Sequence, residues 1–353
     1  MNMATLNSQN ASRLHSLRVS AVVEESHDAK SLILDMPEAL AETFQYRPGQ
    51  FLTLRLPMGD RTLMRCYSMS SAPGLDAALR VTIKRVNNGQ GSNWICDELQ
   101  PGSQLEVLPP AGVFTPRSLE GDFILMAGGS GITPVFSILR SVLAHGRGRI
   151  SLFYANRDER SVIFRAELEQ LAAAHPKRLQ ALHWLDSVQG LPSVAQLSEW
   201  ARPHATAQAF VCGPAAFMDA SLAALRAVGV QAGRMHAERF VSLPDEDAAP
   251  SAEAAPAQPA VSEAEFLLRL DGEEHTLRCG GNETLLEAAM RIGIIVPNSC
   301  RAGLCASCMC KVTDGAVHLR HNEALEQRDL DLGWTLACQA VPASARVCIE
   351  FPE

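Results

Sequence analysis

The stretch Cys300-Arg301-Ala302-Gly303-Leu304-Cys305-Ala306-Ser307-Cys308, followed at a distance by Cys338, decides the fold of the C-terminal part of this chain. The spacing C-x4-C-x2-C with a distant fourth cysteine is the plant-type ligand pattern for a [2Fe–2S] cluster. Small residues between the cysteines allow backbone N–H groups to approach the cluster sulfurs. A structural zinc site is the alternative, but zinc usually takes two short Cys or Cys/His pairs, and only one is present. The pattern therefore predicts four metal ligands: Cys300, Cys305, Cys308 and Cys338.

Composition limits the classes of partner. The 353 residues allow two or three domains, and the net charge of −8 provides no basic surface for nucleic acid or an anionic membrane. The sequence has no apolar run of membrane-spanning length, and its first twenty residues lack the features of a signal peptide. We therefore expect a cytoplasmic protein without a nucleic-acid or membrane partner. The cysteines outside the ligand set are interpreted as reduced thiols: Cys66, Cys96, Cys212, Cys279, Cys310 and Cys348.

The N-terminal part of the chain predicts a small antiparallel β-barrel over residues 17–116, preceded by a flexible tail over residues 1–16. Short runs of alternating apolar and polar residues are separated by the turn pairs Pro48-Gly49, Pro73-Gly74 and Pro101-Gly102. Such short strands with regular turns are typical of a barrel. The predicted strands lie at 17–23, 30–36, 50–56 and 78–86.

The middle of the chain, residues 117–243, predicts an α/β domain with a parallel sheet. Buried-strand runs at 123–127, 150–154, 179–185 and 209–211 alternate with helical segments that include 165–174 and 214–228. Residues 244–262 then form a linker rich in Pro, Ala and acidic residues, which cannot bury enough apolar area to order itself.

Residues 263–353 form the predicted third domain. The pair Asp271-Gly272 between two strand-like runs is a hairpin signal. Thr284 and Glu287 form a possible capping box for a helix that buries its apolar positions. These positions are Leu285, Ala289 and Ile292.

Two upstream motifs are candidates for a flavin site. Arg65, Tyr67 and Ser68 stand at the end of a predicted strand, where they can pair with a phosphate, stack on the flavin ring and hydrogen-bond near its N5 atom. Gly91 and Ser92 lie in a predicted glycine-rich turn at residues 89–93 that suits a pyrophosphate. Taken singly each motif is weak, because an arginine and a tyrosine on a strand are usually surface and core residues. Their occurrence beside an iron–sulfur domain strengthens both.

A glycine-rich segment after the first strand of the α/β domain is the candidate dinucleotide site. It opens a helix, whose free N–H groups favour phosphate, although it lacks the G-x-G-x-x-G pattern and could be a tight βα turn only. Asn156 and Arg157 follow the second strand, where a ribose-binding acid is expected. Cys212, Gly213 and Pro214 end another strand at the same edge, although a lone cysteine there is often a small buried apolar residue. The candidates in the glycine-rich segment are Gly128, Gly129, Gly131 and Thr133.

These motifs in this order resemble the ferredoxin–NADP reductase superfamily, in its oxygenase-reductase branch with a C-terminal ferredoxin domain, from about Ser16 to the end of the chain. Within the branch the chain is most similar to reductase components of 3-ketosteroid 9α-hydroxylases and then to those of phenylacetyl-CoA epoxidases. The resemblance implies a multidomain protein with an FAD-binding β-barrel, an NAD-binding α/β domain and a β-grasp [2Fe–2S] domain. It also implies that Glu238 and Phe240 lie near the flavin, and that Ser68, Cys212 and Glu238 carry the catalytic roles.

The expected function is electron transfer from NAD(P)H through FAD and [2Fe–2S] to a separate terminal oxygenase, by a monomer. FAD is expected rather than FMN. For the pyridine nucleotide, Arg157 favours NADPH. Asp158 and Glu159 stand beside it, where pairing with Arg157 and repulsion of a phosphate dianion are expected, and with the resemblance they favour NADH. The alternative is that Arg157 is a solvated surface residue that touches neither cofactor. Two other classes stay open. One is a sensor module in which the four cysteines hold zinc, and the other is a free-standing flavin or quinone reductase that needs no protein acceptor.

Overall fold

The structure is a computed structural model. It describes residues 14–59, 61–240, 261–270, 272–294, 296–298, 301, 303, 307–322, 325 and 327–351, with the backbone alone at residues 61, 62, 64, 239 and 328. One compact unit spans Leu14–Phe240, and the C-terminal region forms a second. Most of the predicted tail and linker, the hairpin residue Asp271, and the predicted ligands Cys300 and Cys305 lie outside the described residues.

The first part of the core unit is the predicted antiparallel barrel. Its strands follow the order β4-β3-β6-β1-β2-β5. An isolated bridge between Met69 and Val81 joins the two edge strands, so the sheet closes on itself. Inward-facing apolar residues fill the barrel, among them Leu17, Leu52 and Val107. The strands are β1 (His15–Ser26), β2 (Ala29–Leu34), β3 (Phe51–Met58), β4 (Arg61–Ser68), β5 (Leu79–Lys84) and β6 (Gln104–Ala111).

One segment of the barrel domain differs from the prediction. Residues 89–93, predicted as a glycine-rich turn, form the start of helix α1 (Gln90–Glu98), with Gly89 as its N-cap. The helix buries Ile95 and Cys96 against the barrel core. Gly91 in the first turn disfavours a helix by intrinsic propensity, whereas Gly89 is tolerated as the N-cap, and burial of the apolar positions compensates for Gly91.

The second part of the core unit is the predicted parallel sheet, with the order β11-β10-β7-β8-β9. The order places β7 in the centre, so the chain reverses direction across the sheet beside the carboxyl end of β7, where ligands of open α/β sheets bind. The strands are β7 (Phe123–Gly128), β8 (Ile150–Asn156), β9 (Leu179–Leu185), β10 (Gln208–Gly213) and β11 (Met235–Arg239). The helices are α2 (Ile132–His145), α3 (Arg165–Ala174), α4 (Asp186–Gln189), α5 (Val194–Ala201) and α6 (Ala215–Ala227).

The barrel and the α/β domain are joined by polar contacts within the core unit. Arg140 of α2 forms a double ion pair with Asp76, at 2.5 and 2.8 Å. Arg80 of β5 donates to both carboxylate oxygens of Glu167, at 2.7 and 3.3 Å. The Arg80 guanidinium also lies 4.8 Å from the centroid of the Phe164 ring and 5.4 Å from that of Phe136. These partly buried, charge-assisted contacts fix one domain against the other.

The C-terminal unit is a mixed five-stranded sheet with the order β13-β12-β16-β14-β15. Thr284 and Glu287 form the predicted capping box at the start of helix α7. That helix buries Leu285 and Ala289, but the prediction for Ile292 is wrong, because Ile292 follows the helix and is 44% exposed. The strands are β12 (Glu263–Leu270), β13 (Glu273–Gly280), β14 (Met309–Leu319), β15 (Trp334–Leu336) and β16 (Ala340–Glu350). The helices are α7 (Leu285–Arg291) and α8 (Gln327–Asp331).

Candidate functional site

Three predicted catalytic residues meet where the barrel contacts the edge of the parallel sheet. Ser68, at the end of β4, donates its hydroxyl hydrogen to Oε2 of Glu238 at 3.3 Å, although the two residues are 170 positions apart. Cys212 in β10 lies directly opposite Glu238 in β11 in the strand register. Burial, followed by the neighbouring Glu238 carboxylate, raises the pKa of the Cys212 thiol well above its usual value. The thiol is therefore neutral at physiological pH.

The predicted dinucleotide segment packs tightly against the end of β10. A Cβ atom added to Gly131 would stand 2.2 Å from the carbonyl oxygen of Cys212, and one added to Gly128 would stand 2.8 Å from Cδ of Pro214. Gly213 has φ +157° and lies equally close to the backbone of Gly128. Only glycine fits at these positions. The close packing brings Cys212 beside the start of α2.

The first turn of that helix is shaped for an anion. Gly129 to Gly131 form a single 3₁₀ turn between β7 and α2, and Gly129 has φ +51°. The Thr133 hydroxyl donates to the carbonyl oxygen of Ser130 at 3.0 Å, which fixes the turn. Backbone N–H groups at the start of a 14-residue helix then favour a phosphate.

The predicted flavin residues are grouped along β4 and α1. A Cβ atom on Gly91 would stand 3.2 Å from Cγ of Arg65, so this glycine allows the start of α1 to approach the arginine closely. Ser92 accepts a hydrogen bond from the backbone of Val86 at 3.1 Å, which holds the start of the helix against the end of β5. Tyr67 packs against the barrel core, and burial raises the pKa of its hydroxyl. An arginine and a helix N-terminus side by side fit the phosphates of a flavin nucleotide.

Phe240 follows β11 directly, two residues beyond Glu238, and is the last described residue of the core unit. Its side chain is 43% exposed. The structure thus places this aromatic residue in the chain next to the Ser68–Glu238 contact, without burying its ring in the core.

The residues that follow the second parallel strand differ from expectation. The guanidinium Nη2 of Arg157 donates to Oδ2 of Asp28 at 2.7 Å, rather than pairing with Asp158 or Glu159. Asp158 instead caps the following turn and accepts hydrogen bonds from Ser161. Asp28 belongs to the barrel, 129 positions away from Arg157. The charges that neighbour Arg157 in the sequence cannot predict a contact with a residue so far away.

Two side chains at this edge of the sheet have buried polar atoms without a hydrogen-bond partner among the described residues. Both amide atoms of Asn156 are buried with no hydrogen-bond partner among the described residues, and the same holds for Oδ1 of Asp186. Asp186 follows β9 directly, and the N–H of the next residue, Ser187, donates to the carbonyl oxygen of Arg157 at 2.8 Å. Desolvation raises the pKa of the Asp186 carboxyl. We did not predict a role for Asp186; the signal was an acid placed directly after the third parallel strand.

In the C-terminal unit, the described part of the predicted ligand set is buried and close together. Cys308 is 2% and Cys338 4% exposed. The N–H of Ala337, next to Cys338, donates to the carbonyl oxygen of Cys308 at 3.0 Å, so the two cysteine segments are hydrogen-bonded neighbours. Gly303 has φ +77°, and a Cβ there would stand 2.6 Å from the carbonyl oxygen of His321. Two buried thiols in hydrogen-bonded neighbouring segments suit an iron–sulfur cluster.

Family models match three consecutive parts of the chain. Residues 16–115 match an oxidoreductase FAD-binding domain, residues 125–222 an oxidoreductase NAD-binding domain, and residues 268–343 a 2Fe-2S iron-sulfur cluster binding domain. These matches confirm the predictions of FAD, a nicotinamide dinucleotide and a [2Fe–2S] cluster. They favour the cluster over the zinc alternative.

Relatives match over the full length. The ferredoxin reductase component of 3-ketosteroid-9-alpha-monooxygenase from Rhodococcus rhodochrous is 48% identical, over 99% of this chain and 100% of the relative. A component of the 1,2-phenylacetyl-CoA epoxidase from Escherichia coli is 33% identical, over 96% of this chain and 97% of the relative. The chain belongs to the oxygenase-reductase branch of the ferredoxin–NADP reductase superfamily.

The solved structure of phthalate dioxygenase reductase agrees with this reductase fold. It superimposes with a TM-score of 0.61 at 24% identity, over 97% of this chain and 99% of that one. The predicted fold, an FAD barrel followed by a nucleotide domain and a C-terminal [2Fe–2S] domain, is confirmed. Among the described residues of the reductase, no helix is long and apolar enough to cross a membrane.

Proposed function

We propose that this reductase is the electron-transfer component of a 3-ketosteroid 9α-hydroxylase type of oxygenase. The supporting observation is the 48% identity to the Rhodococcus component across both whole chains. When bound, FAD would supply the conversion of a two-electron hydride from NADH into single electrons, and the [2Fe–2S] cluster would supply the one-electron relay to a terminal oxygenase. The protein supplies binding, orientation and electrostatics for that transfer.

At the domain contact we assign three roles. Ser68 orients the flavin near its reactive edge and is itself positioned by its hydrogen bond to Glu238. Glu238 supplies a carboxylate for charge or proton balance. Cys212 lines the hydride path as a small neutral group, because its raised pKa keeps the thiol protonated.

The remaining predicted residues bind the two nucleotides. Arg65 pairs with a flavin phosphate at the start of α1, where Gly91 and Ser92 lie, and Tyr67 stacks on the flavin ring. Phe240, half-exposed after β11, is assigned to the same ring. On the α/β domain, the glycine turn and the start of α2 bind the phosphates of the dinucleotide. Gly213 and Pro214 lie beside the nicotinamide. The glycine turn and helix start contribute Gly128, Gly129, Gly131 and Thr133.

We assign NADH rather than NADPH as the electron donor. An NAD site offers a carboxylate to the ribose 2′-hydroxyl, whereas an NADP site offers a cation to the 2′-phosphate. Here Arg157 is paired with Asp28, and Asp186 presents a buried carboxylate oxygen without a partner among the described residues. The balance of charge at this edge therefore favours a hydroxyl over a phosphate dianion.

Reconstitution with separate terminal oxygenases tests the partner. With a 3-ketosteroid 9α-hydroxylase oxygenase component, we expect NADH consumption that depends on steroid and matches the amount of hydroxylated product. Phenylacetyl-CoA epoxidase is the second candidate, supported by its 33% identical relative. Coupled turnover with the epoxidase alone contradicts the steroid assignment. Turnover of small quinones at physiological rates without any oxygenase contradicts the requirement for a protein acceptor.

We further propose that the reductase acts as a monomer in the cytoplasm. The ordinary composition supports the compartment, as does the interpretation of the six cysteines outside the ligand set as reduced thiols. Light scattering during size exclusion is expected to give the mass of a single 38.1 kDa chain with its cofactors. A dimer mass contradicts the assignment.

A further inference from the structure

One carboxylate of the barrel, Asp28, pairs with two cations at the carboxyl edge of the parallel sheet, beside the candidate dinucleotide site. Asp28 lies in the two-residue turn between β1 and β2, with a side chain only 13% exposed. Its Oδ2 accepts the hydrogen bond from Arg157 at 2.7 Å and lies 3.7 Å from the ammonium nitrogen of Lys84. Its Oδ1 accepts a hydrogen bond from the hydroxyl of Ser26 at 2.9 Å. Asp28 is therefore held in place and neutralises part of a local positive charge.

Backbone contacts fix this turn against the α/β domain. The N–H of His27 donates to the carbonyl oxygen of Arg160 at 3.2 Å, and Nδ1 of the same histidine lies 2.9 Å from that oxygen. The partner belongs to the short turn that follows β8 and Arg157. The position of Asp28 beside Arg157 is thus set by the packing of the two domains and not by side-chain rotation alone.

Both cations lie next to the dinucleotide site. Arg157 follows Asn156, the last residue of β8, at the carboxyl edge of the parallel sheet. The ammonium nitrogen of Lys84 stands 3.5 Å from the point that a Cβ of Gly129 would occupy in the glycine turn. Without Asp28, Arg157 and Lys84 would face a bound dinucleotide without the carboxylate that now lies between them. Cations at this edge favour the 2′-phosphate of NADPH.

We propose that Asp28 is a specificity-determining residue: by holding Arg157 and Lys84, this barrel carboxylate makes the α/β domain accept NADH and disfavour NADPH. The inference rests on the proposed preference for NADH. A 2′-phosphate that approaches Arg157 must displace the Asp28 carboxylate or lie beside it. Either alternative costs free energy that NADH, with a neutral 2′-hydroxyl, does not incur.

The variant Asp28→Asn tests the inference. It keeps the size of the side chain and removes the charge. We expect the ratio of kcat/KM for NADPH to that for NADH to rise about three- to fivefold, the upper part of the range expected when one partly exposed ion pair is released. On the full FAD- and cluster-loaded chain, calorimetry is expected to show tighter binding of 2′,5′-ADP and little change for 5′-AMP. The affinity for 2′,5′-ADP should also depend more steeply on salt.

Three further variants make the result specific. Asp122→Asn removes a carboxylate paired with Arg149 at 3.0 Å at the opposite edge of the same sheet, and should leave the nucleotide ratio unchanged. Arg157→Ala in the otherwise unaltered chain should change the ratio by less than about twofold, because its charge is already neutralised. Arg157→Ala added to Asp28→Asn should reverse most of the gain.

The outcomes separate the inference from the function on which it rests. A wild-type chain that prefers NADH, with an Asp28→Asn ratio unchanged, overturns the role of Asp28 and leaves the NADH assignment in place. A wild-type chain that prefers NADPH tenfold overturns both. If Asp28→Asn folds poorly, Arg157→Ala alone decides: a tenfold loss of NADPH efficiency in that variant means that the arginine binds phosphate despite Asp28.

Discussion

The C-terminal unit and the core unit assemble their sites in opposite ways. In the C-terminal unit, three of the four predicted ligands lie within the nine residues from Cys300 to Cys308, and their spacing alone predicts the chemistry. In the core unit, Ser68 and Glu238 are 170 positions apart and meet only because the barrel packs on the edge of the parallel sheet. The first is a local site, because the spacing of its residues in the sequence predicts it. The second, formed by Ser68, Cys212 and Glu238, is a distributed site, because it depends on how the two domains pack.

The largest effect is expected from a change that removes the local site and leaves the distributed site intact. Cys338→Ser should abolish the [2Fe–2S] absorption and electron paramagnetic resonance signals, and with them NADH-driven turnover of the oxygenase. Flavin reduction by NADH should persist, because every residue assigned to it lies in Leu14–Phe240. Absorption spectroscopy with iron analysis and rapid mixing with NADH measure the two functions separately.

Cys310→Ala is the matched control for that change. Cys310 is also fully buried in the C-terminal core, but it lies outside the predicted ligand spacing. We expect Cys310→Ala to retain a full complement of iron. Loss of iron from Cys310→Ala together with retention in Cys338→Ser would show that the ligand assignment is wrong.

The next effect breaks the distributed site. Glu238→Gln keeps a hydrogen-bond acceptor for Ser68 but removes the charge beside Cys212. We expect the rate of flavin reduction by NADH to fall by about 100-fold, the low end of the effect of losing a positioned acid–base group. Flavin content and cluster content should not change. Glu106→Gln, which removes an exposed carboxylate paired with Arg55, serves as the control. An unaltered rate in Glu238→Gln would refute its assigned role.

The sequence predicts the features that depend on residues a few positions apart, and it fails for those that depend on packing. Four of the five parallel strands, the helix at Arg165–Ala174 and the capping box of Thr284 were predicted, because apolar periodicity and capping residues act within a few positions. The edge strand β11 was not predicted. Helix α1 was predicted as a turn, because Gly91 in its first turn disfavours a helix, and burial of its apolar positions against the barrel stabilises it. Ile292 was placed in the core by extending a helical pattern beyond the point at which the helix ends.

The partner of Arg157 shows where local interpretation fails. Asp158 and Glu159 are its nearest acids in sequence, yet Asp158 caps the following turn and Asp28 pairs with the arginine. Asp186 was missed for a related reason, since an acid after the third parallel strand acquires meaning only when the sheet order is known. The family resemblance supplied the residues of the distributed site, and the structure supplied their contacts.

A smaller effect concerns the contact between the domains on which the distributed site depends. Arg80 is 14% exposed, pairs with Glu167 and stacks on two aromatic rings. Arg80→Met should lower the free energy of unfolding of the core unit by about 1–3 kcal/mol, because Glu167 loses its partner and both rings lose the guanidinium above them. Arg55→Met removes an exposed pair with Glu106 and should change it by less than about 1 kcal/mol. Chemical denaturation monitored by flavin fluorescence compares the two. Equal losses in both variants would contradict the role of Arg80 at the contact.

The central claim is that one chain carries hydride chemistry and single-electron transfer in two separate units. Anaerobic titration of the purified chain with NADH, followed by absorption and electron paramagnetic resonance, tests it most directly. We predict uptake of about three electron equivalents per chain, two by the flavin and one by the cluster. In Cys338→Ser the uptake should fall to about two. Uptake of about two electrons by the wild-type chain, with no reduced-cluster signal, would contradict the account.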